Sequence, residues 1–216
     1  MSTPRPPDAP APAPPPRPER PRHDYAPAAR RVVVLALVFG VLGAVAYWAW
    51  HQPFMAYPRA LAELASMPAP DALPVPVEGV RVRAIADTYG APRGADRTHQ
   101  GIDIFAPRGT PVLSATRGVV TSIRDQGLGG KQVWVLGPGR ERHYYAHLDD
   151  WAFALAAGDL VREGDELGTV GTTGNARGTP PHLHYGIYTA DGPIDPLPRL
   201  RAYTAPPAEP DAPSDG

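Results

Sequence analysis

Five of the chain's seven histidines fall between residues 99 and 184, and three short patterns built on them could do chemistry. His182-Leu183-His184 is an H-x-H pair. Residues two apart on a strand share a face, about 6.6 Å apart along it, so both imidazoles can enter one site. His99-Gln100-Gly101-Ile102-Asp103 is an H-x-x-x-D pattern. Alone it is weak, since roughly half an instance is expected by chance at this composition. A straight strand would hold His99 and Asp103 about 13 Å apart, too far to ligate one ion through bonds of about 2 Å. The chain must therefore bend, and Gly101 is the hinge predicted from its access to backbone angles that Cβ-bearing residues avoid. In the third pattern, His143-Tyr144-Tyr145-Ala146-His147-Leu148, strand alternation puts His143, Tyr145 and His147 on one face. That places His143 near the site as well. Any one of these histidines is equally well read as a hydrogen-bonded, partly buried imidazole; the set together is not. His23 and His51 lie outside it and need no chemical role.

Imidazole and carboxylate are ligands for a divalent metal, and any metal here must be held by them. Cysteine is absent, which removes thiolate ligands, thiol nucleophiles and disulfides together. No H-E-x-x-H occurs, so the glutamate base of that class is missing and proton transfer falls to imidazole.

The elements that must position these residues lie in one segment. Of 30 prolines, only 6 fall in residues 79–192, whereas 19 of the 22 glycines do, so a turn-rich unit is flanked by segments that cannot propagate helix or sheet. Short apolar runs bounded by glycine predict strands over 80–84, 111–114, 118–123, 132–136, 143–148, 166–170 and 182–188. Gly137-Pro138-Gly139-Arg140 reads as the turn of an antiparallel hairpin, and 150–157 as one helical interruption ended by Gly158. The predicted fold is mostly β: a small antiparallel β-sheet domain over residues 79–200. A net charge of -1 removes the electrostatic basis for nucleic-acid binding, and the lack of a G-x-G-x-x-G or P-loop pattern argues against nucleotide chemistry.

Upstream, Val32 to Trp50 is a 19-residue run without a charge. As a helix it spans about 28 Å, close to the hydrocarbon thickness of a bilayer. Arg17, Arg20, Arg22, Arg30 and Arg31 precede it, and Tyr47, Trp48 and Trp50 mark its far end, so the N-terminus is expected in the cytoplasm and the rest outside. A cleaved signal peptide ending near Ala44-Val45-Ala46 competes with this retained transmembrane anchor. Residues 1–31, rich in Pro and Arg, are expected to be a disordered cytoplasmic arm, residues 51–78 a Pro-rich stand-off linker with a short helix near 59–67, and residues 201–216 a disordered tail.

Taken in order, His99-x-x-x-Asp103, Tyr145-x-His147-Leu148 and Pro181-His182-Leu183-His184-Tyr185 resemble the signature elements of the lysostaphin-type (LytM-like) zinc metallopeptidases. The flanking text is similar too: Gly101-Ile102-Asp103-Ile104-Phe105-Ala106-Pro107, Gly118-Val119-Val120 and Gly171-x-Thr173-Gly174-Asn175-Ala176. The resemblance covers about 79–196. It implies a β-sheet groove of the duplicated-hybrid-motif kind, one Zn²⁺ per chain held by His99, Asp103 and His184, and His147 and His182 as the catalytic pair, without saying which is the base. It also implies peptidoglycan peptides as substrate, in stems or cross-links; the apolar run 32–50, read as an anchor in the inner (cytoplasmic) membrane, puts the domain in the periplasm or its equivalent. A non-catalytic relative, activating a wall amidase or scaffolding an envelope complex, is the alternative; such members lose ligands, and all five positions are filled here. Where the family often has Phe-Glu after the H-x-H, this chain has Tyr185-Gly186, outside the ligand set. Tyr145, Arg97 and Asn175 are further substrate-contact candidates. No protein regulator can be named from the residues.

Overall fold

Valine- and isoleucine-rich runs broken by glycine leave short strands with one apolar face each, and ten of them form between residues 102 and 194 in the computed structural model, which describes residues 26–94 and 96–204. They are β1 (Ile102–Phe105), β2 (Pro111–Leu113), β3 (Gly118–Gln126), β4 (Gly130–Leu136), β5 (Arg142–Ala146), β6 (Leu148–Trp151), β7 (Leu160–Val161), β8 (Glu166–Val170), β9 (His182–Thr189) and β10 (Gly192–Ile194). Every pairing is antiparallel. The larger sheet runs β1-β9-β5-β4-β3-β7, with β10 also on β9; the smaller runs β2-β8-β6. The core lies on the inner faces, where Ile102, Ile104, Val133, Val135, Leu167, Leu183 and Ile187 are fully buried.

The hairpin between β4 and β5 forms around residues 137–140 as expected, with Gly139 at φ 65°. Two expectations fail locally. Residues 80–84 find no partner strand and close into a 3-10 turn, Val82–Ala84. The helix expected over 150–157 is absent because Leu148 and Trp151 pair with Val170 and Gly168 of β8, after which Ala154 (φ 59°) and Gly158 (φ 100°) turn the chain.

The chain divides into two units, one through Ala49 and one from Trp50 onward. In the first, α1 (Ala26–Trp50) begins six residues before the apolar run, because Ala28, Ala29, Arg30 and Arg31 are good helix formers and Pro27 sits in the first turn, where its missing N–H costs nothing. Its stretch Arg30–Trp50 is long and apolar enough to cross a membrane, with mean hydropathy 2.4 and none of it buried. Residues 1–25 of the expected arm and 205–216 of the expected tail lie outside the described residues.

In the second unit, residues 51–78 are not a free stand-off. A 3-10 turn (Pro53–Met55) leads into α2 (Ala56–Ser66), and the chain beyond it straps across the domain. Leu64, Leu73 and Val77 are buried, Leu113 N–H donates to the Pro76 carbonyl at 3.1 Å, and Glu78 N–H to that of Pro111 at 3.1 Å. Alternate apolar residues among the prolines offset the entropy of ordering this segment. The far end also folds further than expected: α3 (Leu197–Ala202) buries Leu197 and Leu200, and Leu73 N–H donates to the Arg199 carbonyl at 3.1 Å.

Candidate metal centre

Asp103 in β1 stands directly opposite His184 in β9, so their side chains project side by side from the outer face of the larger sheet. His182, two residues earlier, shares that face. His99 arrives from outside the sheet, on a loop closed by backbone bonds between Gly90 N–H and the His99 carbonyl and between His99 N–H and the Ala91 carbonyl, each 2.8 Å. Gly101 brings this loop down onto β9, but by close approach rather than by an unusual backbone angle. A Cβ there would lie 2.5 Å from the Tyr185 carbonyl oxygen and 2.9 Å from the His184 ring.

Three atoms converge as a result. His99 Nε2 is 2.8 Å from His184 Nδ1 and 3.1 Å from Asp103 Oδ1, and His184 Nδ1 is 3.3 Å from the same oxygen. A tetrahedral ion with bonds of about 2.0–2.1 Å would separate its ligands by about 3.3 Å, so this triangle fits the cation that the residue types imply. The tautomer fits as well. His99 Nδ1–H donates to the Thr88 carbonyl at 2.7 Å, which leaves Nε2 with its lone pair facing Asp103. Electron-rich atoms this close need a proton or a cation between them. Arg93, which sequence reasoning missed, touches the other oxygen, Asp103 Oδ2, and leaves Oδ1 for the cluster. Burial pushes the Asp103 pKa up, but the close polar contacts of His184, His99 and Arg93 outweigh it and hold the carboxyl well below its usual range. Burial lowers the His184 pKa against the opposing pull of Asp103, so that imidazole is neutral and available as a ligand.

His147 and His182 flank this triangle without joining it. His182 Nε2 is 3.9 Å from Asp103 Oδ1, and the His147 and His182 rings are 5.1 Å apart. His182 Nδ1–H donates to the Pro180 carbonyl at 2.8 Å and His147 Nδ1–H to the Thr173 carbonyl at 3.0 Å. Each Nε2 is thereby left as a proton acceptor. Burial, with the neighbouring His184 and His182, lowers the His147 pKa to about 4.

His147 reaches the site by a route that alternation does not foresee. Its φ of 65° breaks the expected strand 143–148 into β5 and β6, and the chain passes there from the larger sheet to the smaller. The left-handed residue moves His147 off the face shared by His143 and Tyr145. Those two are fully buried in the core: His143 Nδ1 meets Tyr185 Oη at 2.8 Å, and Tyr145 Oη accepts from Ala115 N–H at 3.0 Å. His143 is therefore not at the site, and Tyr144, not Tyr145, lines the cleft. Arg97 and Asn175 do line it, in an open cleft of about 540 Å³. Gly186 also has a steric reason: a Cβ there would approach the Gln100 carbonyl oxygen to 2.9 Å and press on the loop that carries His99.

Comparison with known proteins places the segment that carries this arrangement in a family. The chain is 39% identical over 127 residues to the L-Ala–D-Glu endopeptidase of Bacillus subtilis, covering 54% of this chain and 39% of that one. It is 35% identical over 92 residues to the peptidoglycan DD-endopeptidase ShyC of Vibrio cholerae, covering 43% and 20%. It thus spans well under half the length of these curated relatives. Among solved structures, a Ruminococcus gnavus protein named as a candidate glycyl-glycine endopeptidase LytM matches with a TM-score of 0.50 at 31% identity, over 72% of this chain and 68% of that one. The family model for peptidase family M23 matches residues 97–196, which hold all three atoms of the triangle and both flanking imidazoles, and the chain belongs to that family.

Proposed function

We propose that the chain is a zinc endopeptidase that hydrolyses peptide bonds of peptidoglycan, anchored in the cytoplasmic membrane by residues 32–50 with the peptidase domain on the outer side. The observation that carries this reading is the convergence of His99 Nε2, Asp103 Oδ1 and His184 Nδ1 at 2.8–3.3 Å beside two imidazoles whose Nε2 atoms are free to take a proton. His99, Asp103 and His184 would hold the ion, which when bound supplies a Lewis acid for the scissile carbonyl and lowers the pKa of water toward neutrality. One of His182 and His147 accepts the proton of the attacking water through Nε2. The other stabilises charge on the carbonyl oxygen or returns a proton to the leaving amine. Their carbonyl partners at Pro180 and Thr173 fix the tautomer this requires. The open cleft admits an extended peptide, and a substrate that is an immobile wall polymer favours a tethered enzyme. That all five positions are filled and gathered in one cleft speaks against a non-catalytic role.

Purified muropeptides incubated with the full chain in detergent, with and without chelator, test the reading by mass spectrometry. Peptide-bond cleavage should stop with chelator and return with added Zn²⁺. Metal-loaded protein that cleaves no muropeptide would refute it.

A further inference from the structure

The outer face of the larger sheet does not end at His184. Continuing along β9 on that face come Gly186 and Tyr188, with Tyr144 of β5 paired to Gly186, Arg142 of β5 paired to Tyr188, and Trp134 of β4 paired to Tyr144. The three aromatic rings form a continuous platform. Trp134 stacks on Tyr144 with centroids 4.3 Å apart and planes at 28°, Tyr188 lies 5.3 Å from Trp134 and 6.3 Å from Tyr144, and the Arg142 guanidinium stands 5.6 Å from the Trp134 ring. The platform begins beside the triangle, where the Tyr144 ring is 5.6 Å from that of His184. Tyr144 and Tyr188 line the same cleft as the metal-site residues.

Cross-strand aromatic pairs commonly stabilise sheets, but two features here point outward to a ligand. The three rings are only half-buried, and the hydroxyls of Tyr144 and Tyr188 have no hydrogen-bond partner among the described residues. The strands beneath, β4, β5 and β9, are each paired on both sides, so the platform offers no main-chain donors or acceptors to an extended peptide. What it offers is half-exposed aromatic surface, two phenols and a guanidinium. That set suits a ligand with an apolar C–H face and a rim of hydroxyl and amide groups, which is a pyranose ring.

We infer that Tyr144, Tyr188 and Trp134, with Arg142, form a saccharide subsite that receives a sugar of the glycan strand from which the substrate peptide hangs. As a statement about substrate it rests on the peptidoglycan reading, but sugar binding can be measured separately. Titration of the full chain in detergent with a peptide-free N-acetylglucosamine–N-acetylmuramic acid tetrasaccharide, followed by calorimetry, should show binding. Tyr188→Ala should weaken it about tenfold, the size of one lost ring contact. Tyr188→Phe keeps the ring and the fold and should stay within about threefold. With stem peptide free or linked to its disaccharide, the wild type should have the lower KM on the linked form, and Tyr188→Ala should lose that preference. No binding of the tetrasaccharide by the wild type, or undiminished binding by a folded Tyr188→Ala variant, would overturn the subsite. If the tetrasaccharide binds and neither peptide is cleaved, the endopeptidase reading fails and the subsite stands; if the free peptide is cleaved and no sugar binds, the reverse holds.

Discussion

Taken together, strands β5 and β9 put histidine and tyrosine on both faces of the larger sheet, and the two faces have opposite chemistry. Outward, His182 and His184 stand in an open cleft with carbonyl, carboxylate and imidazole neighbours. Inward, His143 packs fully buried with Tyr185 and Tyr145 among aliphatic side chains. Burial, with a smaller contribution from Arg199, lowers the His143 pKa to about 3, so it stays a neutral core residue. The difference shows that an imidazole becomes a ligand or a proton carrier through what converges on it, since the residue type is common to both sides.

The largest expected effect separates the ligands from their neighbours on the outward face. His184→Ala should abolish cleavage and weaken zinc binding by more than about 100-fold, since even outer partners of metal ligands are worth 10–100-fold. His182→Ala should retain zinc while turnover falls by roughly 10²–10⁴, the range for a general acid–base group. Zinc content by atomic emission beside kcat distinguishes them, and equal zinc loss in both would erase the division between triangle and flanking pair. Gly101→Ala probes the contact between loop and sheet. Its Cβ would sit 2.5 Å from the Tyr185 carbonyl oxygen, so we expect a loss of about 1–3 kcal/mol in chemical denaturation together with weaker zinc binding.

The inward face should respond to pH instead. His143 has its folded pKa lowered from 6.5 to about 3, so the unfolded chain takes up the proton first as the medium is acidified. Its neutral form leaves stability intact above the unfolded value, and stability falls between pH 6.5 and about 3, by up to about 1.4 kcal/mol per pH unit. Replacement by glutamine should flatten that slope in thermal melts run with chelator present. An unchanged slope would mean that His143 is not the group responsible.

Several features were legible because they are local. The H-x-H pair reads from strand period, the hairpin at 137–140 from its glycines and proline, and the apolar run in α1 from an uninterrupted stretch without charge. The strap was misread because a count of prolines says that helix and sheet are excluded, not that Leu73 and Val77 find a core to enter.

The linear order of residues alone determined which donors exist, that no thiol competes with them, and that His182 and His184 share a face, because all of this follows from side-chain type and the two-residue repeat of a strand. Only the tertiary structure decided that His147 turns outward while His143 turns in, that Tyr144 rather than Tyr145 meets the cleft, and that Arg93 and the carbonyls of Thr88, Thr173 and Pro180 fix the site. The reason is physical: one left-handed residue reverses the alternation beyond it, and a carbonyl is the same group at every position until the fold aims it.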